Sequence, residues 1–143
     1  SKRNLYGEEQ QIFIQGVAVP MFGHQRHNVV LAICADISVE KFAQDAARQG
    51  ADLYATSVLV SEQGYQQDCD YLARWSRDYG MAVMMANHAW PTGGYQSAGK
   101  SAFWGPDGRQ VVQGGSGEQL IIARRSGNHW QGEVHPLPCT SVL

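Results

Sequence analysis

The sequence is short of charge. Asp, Glu, Lys and Arg make up 17% of its 143 residues, against about 25% in ordinary globular chains. Acids and bases nearly cancel, 13 against 11. Without a basic excess the chain carries no electrostatic footprint for nucleic acid. No apolar run exceeds about eight residues, far below the roughly 20 that a membrane-spanning helix needs. No charged stretch leads into an apolar one near the N-terminus, so no secretory signal is visible. Cysteine is scarce as well. Cys34, Cys69 and Cys139 are widely spaced and form no C-x-x-C, which argues against a zinc ribbon or redox pair. An odd count without a secretory signal points to a reducing cytoplasm rather than a disulfide framework.

Two further absences narrow the field. His24 and His27 form an H-x-x-H with no third ligand nearby, and they read as surface residues, so no metal is expected. No G-x-G-x-x-G or G-x-x-x-x-G-K-[ST] follows a strand, which sets aside a phosphate-binding, flavodoxin-like domain. What remains is a chain with 43% hydrophobic residues, too apolar for disorder. Its length suits one domain. The N-terminus carries an oddity: position 1 is Ser and Lys2 follows at once. Either something was trimmed or the sequence is part of a longer design.

Glycine and proline punctuate the pattern. Residues 1–16 are polar, 17–22 form a short apolar run and 23–28 a polar turn. Residues 29–33 (VVLAI) form a short, continuous, β-branched run that reads as a buried strand. Ser38 is the expected N-cap of a helix whose apolar positions are Val39, Phe42, Ala43, Ala46 and Ala47, with Gly50 as its stop. Residues 51–60 read as a second strand. Tyr65 to Tyr79 reads as a second helix closed by Gly80, and 81–86 as a third strand. Strand, helix, strand, helix, strand favours a parallel sheet. Pro106-Asp107-Gly108 marks a hairpin turn between strands at 100–104 and 110–113. Residues 120–124 give another strand. The expected domain is 1–127, with 128–143 an extended tail.

Cys34 is the first chemical candidate, because it ends a buried strand at the edge where parallel α/β sheets bind ligands. It reads either as an activated thiol or as a small buried hydrophobe. Cys69 lies on the apolar face of the second helix and reads as packing, and nothing singles out Cys139. Lys2 alone would be a solvated lysine, and Glu8-Glu9 alone a surface acidic pair.

Five segments in order change this picture. Residues 2–9 (KRNLYGEE) with Phe13 resemble the lysine segment of the nitrilase superfamily of carbon–nitrogen hydrolases. Cys34-Ala35-Asp36 resembles its nucleophile segment, 32 residues after Lys2. Gly50-Ala51-Asp52 matches its helix-to-strand turn, 81–87 its strand ending in Ala-Asn, and 101–108 (SAFWGPDG) its late hairpin. The resemblance runs from Lys2 to about Arg125. It implies an α/β fold, a nitrilase-like αββα sandwich of which this chain supplies about half. It implies hydrolysis of amides, N-carbamoyl compounds or nitriles through a cysteine thioester, with no metal or organic cofactor. Cys34 would be the nucleophile. Lys2 would hold the oxyanion together with the Ala35 N–H, and Glu9 would support the lysine. Ala35, Ser57 and Asn87 would bind substrate.

The sequence also departs from the family pattern. The family's general-base glutamate lies in a portion preceding the lysine, and no residue of this chain occupies that place. Ala35 replaces the usual aromatic residue, and Lys41 stands where a glutamate is common. His88, at the end of the third strand, is the better-placed substitute base, since His24 and His27 lie near the far end of the Cys34 strand. Tyr65, Trp90 and Tyr95 are candidate pocket aromatics. Half of a two-sheet sandwich leaves a sheet face bare. The expected partners are therefore a small amide or nitrile substrate and a second protein surface, either another copy of the chain or a chain carrying the missing half. A catalytically inactive scaffold with a binding or assembly role is the alternative.

Overall fold

The structure, a computed structural model, describes residues 2–137. Cys139 lies outside them. A six-stranded sheet runs in sequence order: β1 (Met21–His24), β2 (His27–Ile33), β3 (Leu53–Val58), β4 (Ala82–Asn87), β5 (Ala102–Trp104) and β6 (Gln110–Gln113). The central β2, β3 and β4 are parallel, and the outer pairings are antiparallel. Crossovers α2 (Glu40–Arg48) and α3 (Tyr65–Tyr79) join the parallel strands, as the alternating pattern predicted. A short helix, α1 (Glu9–Ile12), precedes the sheet. A separate hairpin, β7 (Gln119–Ser126) and β8 (His129–Pro136), follows it.

One face of the sheet is packed. Val30 and Ala32 from β2, Tyr54 from β3, and Val83 and Met85 from β4 meet Phe42, Leu72 and Trp75 of the two crossover helices. The Trp75 indole N–H donates to the Ile37 carbonyl at 2.7 Å, so this large ring is buried with its polar atom satisfied. Phe42 and Tyr54 meet edge to face with ring centres 5.9 Å apart.

The other face is largely bare. Strand alternation puts Phe22, Leu31, Ile33 and Met84 on it, and these are 48%, 44%, 42% and 42% exposed. Among the described residues, cover lies over its β5–β6 end. There Trp130 of β8 sits on Phe103 with ring centres 4.7 Å apart. Gly132 of β8 lies against Val112 so closely that a Cβ would overlap that side chain.

Several local expectations needed correction. Ser38 does not cap α2. The N-cap is Val39, which makes no side-chain cap bond, and the Ser38 hydroxyl donates instead to the Ala35 carbonyl at 3.0 Å. The polar turn expected over 23–28 is a tight hairpin, with β1 running into it and β2 starting already at His27. The second strand is Leu53–Val58, shorter than 51–60. Residues 129–136 are extended and pair along their length with β7.

Candidate active site

Chain direction puts the ends of β2, β3 and β4 at one edge of the sheet, and Cys34 follows β2 directly. Residues Cys34–Ser38 then form a tight 3-10 turn. Cys34 has φ +48°, in the left-handed region that a side chain disfavours. Such a conformation costs on the order of 1–3 kcal/mol and persists only where neighbours enforce it. It presents the thiol, half-buried, at the tip of a sharp strand-to-helix turn. As the next residue of a helical turn's start, Ala35 has no helical acceptor behind its N–H.

Asp36 enforces this turn. Its carboxylate is 1% exposed. One oxygen accepts the Ile33 N–H at 3.0 Å, just before Cys34. The other accepts the Asn4 N–H at 2.7 Å and the Asn4 side-chain amide at 2.9 Å. A single buried carboxylate thus ties the cysteine turn to the lysine segment. Arg3 adds a second tie, to Asp45 of α2 at 2.7 Å. Lys41 and then Arg3 hold the Asp45 carboxyl below the usual carboxylate range.

Lys2 is mostly covered, and its Nζ lies 2.5 Å from Glu9 Oε2. The same oxygen accepts the Tyr6 N–H at 2.7 Å. The Lys2 ammonium, then this backbone bond, keep the Glu9 carboxyl below its ordinary range. The supporting acid expected near position +7 from the lysine is therefore in contact with it. The Asn4–Asp36 bonds tie the segment that carries this pair to the turn that carries Cys34.

A cavity of about 470 Å³ opens beside the cysteine, lined among others by Cys34, Ala35, Tyr6, Asp68, Tyr71 and Tyr95. A larger groove of about 590 Å³ lies between the turns of the β5–β6 and β7–β8 hairpins. Cys34 does not line it, and we take the smaller cavity as the site because the candidate nucleophile opens into it; Lys2 is among the lining residues of neither.

The remaining expectations divide. Tyr95 lines the cavity, whereas Tyr65 is buried with its hydroxyl on the Lys100 carbonyl at 2.5 Å, and Trp90 donates to Glu118 at 3.1 Å. Ser57 is exposed on the bare sheet face, beside Ile33 and Ala86 in register, and is not among the cavity-lining residues. Asn87 spends its side chain on backbone. It accepts from Val60 N–H at 2.8 Å and donates to the Val60 and Gly99 carbonyls at 3.1 and 2.7 Å. It braces the loops after β3 and before β5. His88 is exposed and outside the cavity lining, and His24 and His27 face each other across the β1–β2 turn, at the opposite end of β2 from Cys34. Cys69 is buried on α3, where burial pushes its thiol up. Among the described residues no group of three or more His, Cys, Asp or Glu side chains could hold a metal ion. Among them, too, no helix is long and apolar enough to cross a membrane.

Sequence reasoning passed over Asn4 and Asp68, and it valued Asp36 only as part of a motif. The spacing of an acid two residues past the cysteine was the available signal for Asp36. Nothing local marks Asp68.

Comparison with known proteins extends this picture. Residues 2–131 match the family model described as carbon-nitrogen hydrolase. A mutant of the amidase from Nesterenkonia sp. AN1, solved with acrylamide added at its active-site cysteine, superposes with a TM-score of 0.71 at 26% identity, over 96% of this chain and 50% of that one. Nit3 from Saccharomyces cerevisiae, of the nitrilase superfamily, gives 0.74 at 22% identity, over 82% and 44%. The glutamine-dependent NAD+ synthetase from Acinetobacter baumannii shares the fold at 0.82 and 20% identity, over 91% and 26%. The chain spans half or less of the length of these solved structures. A family match over nearly the whole chain, joined to a cysteine turn and a lysine segment at one sheet edge, places this chain in the carbon-nitrogen hydrolase family of the nitrilase superfamily.

Proposed function

We propose that this chain carries the nucleophile and oxyanion groups of a hydrolase acting on non-peptide carbon–nitrogen bonds. Among amides, N-carbamoyl compounds and nitriles, simple amides are favoured, because the Nesterenkonia protein is an amidase. The observation that carries the reading is Cys34 itself: a half-buried thiol on a left-handed turn, opening into a cavity, inside the matched segment.

The chemistry follows from these groups. The Cys34 thiolate attacks the amide carbon, and negative charge gathers on the carbonyl oxygen. Lys2 Nζ and the Ala35 N–H stabilise that oxygen, each by about 3 kcal/mol in a site closed to water. Collapse of the tetrahedral intermediate breaks the C–N bond and leaves a thioester. The nitrogen departs as ammonia once a general acid protonates it. Water then attacks the thioester, and the acid product and the Cys34 thiol are released. Glu9 holds the lysine. Asn87 acts through the loops it braces, and Ser57 comes into play only where the bare sheet face meets substrate or partner. The family's general base comes from the portion that precedes the lysine.

That portion also supplies the protein partner in this reading. The bare face of the six-stranded sheet is the surface against which the fold's second sheet stacks, whether that sheet belongs to the same polypeptide or to another. A reducing cytoplasm suits a free nucleophilic thiol.

Ammonia release from a simple carboxamide, measured on the wild type and on Cys34→Ala, tests the activity. Release that disappears in the variant is the expected result. Iodoacetamide labelling resolved by peptide tests the thiol: Cys34 should react faster than Cys69 and Cys139. A chain with no turnover at high concentration and an unremarkable Cys34 would be a binding scaffold instead.

A further inference from the structure

We propose that Asp68 makes the cavity beside Cys34 selective for an amide whose distal end carries a positive charge, such as a protonated amine. The proposal rests on Cys34 being the nucleophile, and it adds a substrate class to that reading.

The cavity wall supplies the argument. Among the described residues, Asp68 is the only charged side chain that lines it. It stands in the first turn of α3 and is half-buried. Among the described residues its carboxylate has no hydrogen-bond or ion-pair partner. The acids nearby differ. Glu9 is held by Lys2, Asp36 by Asn4 and Ile33, Glu62 by Lys100 and Asp70 by Gln66. The two lysines in the region are therefore already committed, Lys2 to Glu9 and Lys100 to Glu62.

An unpaired carboxylate partly withdrawn from water is costly unless a cation or donor arrives to meet it. Loss of water raises the Asp68 carboxyl above its ordinary range, which agrees with an unmet partner. The rest of the wall suits a cation. Tyr6, Tyr71 and Tyr95 line it as well, and aromatic rings attract cations as well as apolar groups. Gln67 donates to the Tyr71 hydroxyl at 3.1 Å and so fixes that ring's polar end. About 470 Å³ accommodates a small substrate, with its amide at Cys34 and its charged end at Asp68.

The test uses the full chain and charged thiol reagents of matched size. Trimethylammonioethyl methanethiosulfonate carries a positive charge and sulfonatoethyl methanethiosulfonate a negative one. Each would form a mixed disulfide with Cys34 and release methanesulfinate. Rates at Cys34 are read by peptide mass spectrometry and expressed as the cation-to-anion ratio. The wild type should favour the cation, and Asp68→Asn should lower the ratio roughly fivefold or more, because one charge acts with opposite sign on the two probes. Asp68→Glu should keep most of the preference, Glu62→Gln should leave it unchanged, and added salt should shrink it. A ratio equal within twofold in wild type and Asp68→Asn overturns the proposal. Neutral iodoacetamide separates the two readings. If Cys34 outpaces Cys69 and Cys139 but its charge preference ignores Asp68, only the selectivity fails. If Cys34 is no faster than the other two, the hydrolase reading fails with it.

Discussion

Cys34 owes its presentation to Asp36 more than to its own strand. Three N–H groups converge on that buried carboxylate, two from Asn4 and one from Ile33. Removing it leaves three part-buried donors without this acceptor, at about 1 kcal/mol each. Asp36→Ala should therefore lower unfolding stability in urea by about 3 kcal/mol or more, and Asn4→Ala, which removes one bond only, by about 1 kcal/mol. Acid should act on the same segment. Glu9 has a depressed pKa, so its contribution is present above the ordinary carboxylate range and fades as pH falls through the folded value. Protection of the backbone amides of residues 2–9 from hydrogen exchange should thus drop first below about pH 4. At this scale the sequence was only half legible. Lys2, Cys34 and Glu9 lie in motifs of fixed spacing, which single them out as candidates, and the Lys2–Glu9 contact follows that spacing. The left-handed φ of Cys34, the bracing role of Asn87 and the unpaired state of Asp68 depend on contacts between residues 12 to 32 or more positions apart, or on surroundings no local pattern encodes.

The elements were more legible where glycine marks their ends. The helix α3 runs Tyr65–Tyr79, between Gly64 and Gly80, and the latter closes it with φ +65°. Apolar period and stop signal agree there, so the boundaries could be read directly. β1 gave no such signal, because its four residues are all exposed and alternate with nothing buried. β8 falls in the stretch read as an extended tail. It contains one half-buried residue, Trp130, and its order comes from pairing with β7 and contact with β6. The P-D-G turn was legible for its own shape, yet its docking was not. Gly108 has φ +81°, and a Cβ there would stand 2.9 Å from the Arg77 Cβ and 3.1 Å from the Ala73 carbonyl. Gly108→Ala should destabilise by about 1–3 kcal/mol through clash and backbone strain together, seen as a lower Tm. Gly93→Ala, at φ +53° in open space, should cost only the backbone share, about 1 kcal/mol.

At the scale of the whole molecule, the dominant feature is a sheet finished on one side and mostly open on the other. Half-exposed Phe22, Leu31, Ile33 and Met84 form an apolar row that burial would reward by about 1 kcal/mol per side chain. The isolated chain should associate in solution, and light scattering after size exclusion should give a mass above 15.7 kDa. Met84→Lys and Leu31→Lys, on side chains that contribute little to the packed core, should keep the fold and shift the chain toward monomer. A wild-type monomer at micromolar concentration would refute this. The β7–β8 hairpin limits what can settle there. With Gly132 against Val112 and Trp130 on Phe103, it packs closely on the β5–β6 end of that face. It works as a fence post. Anything that covers the open strands must stop short of Trp130, so the hairpin sets the lateral limit of any layer that docks there.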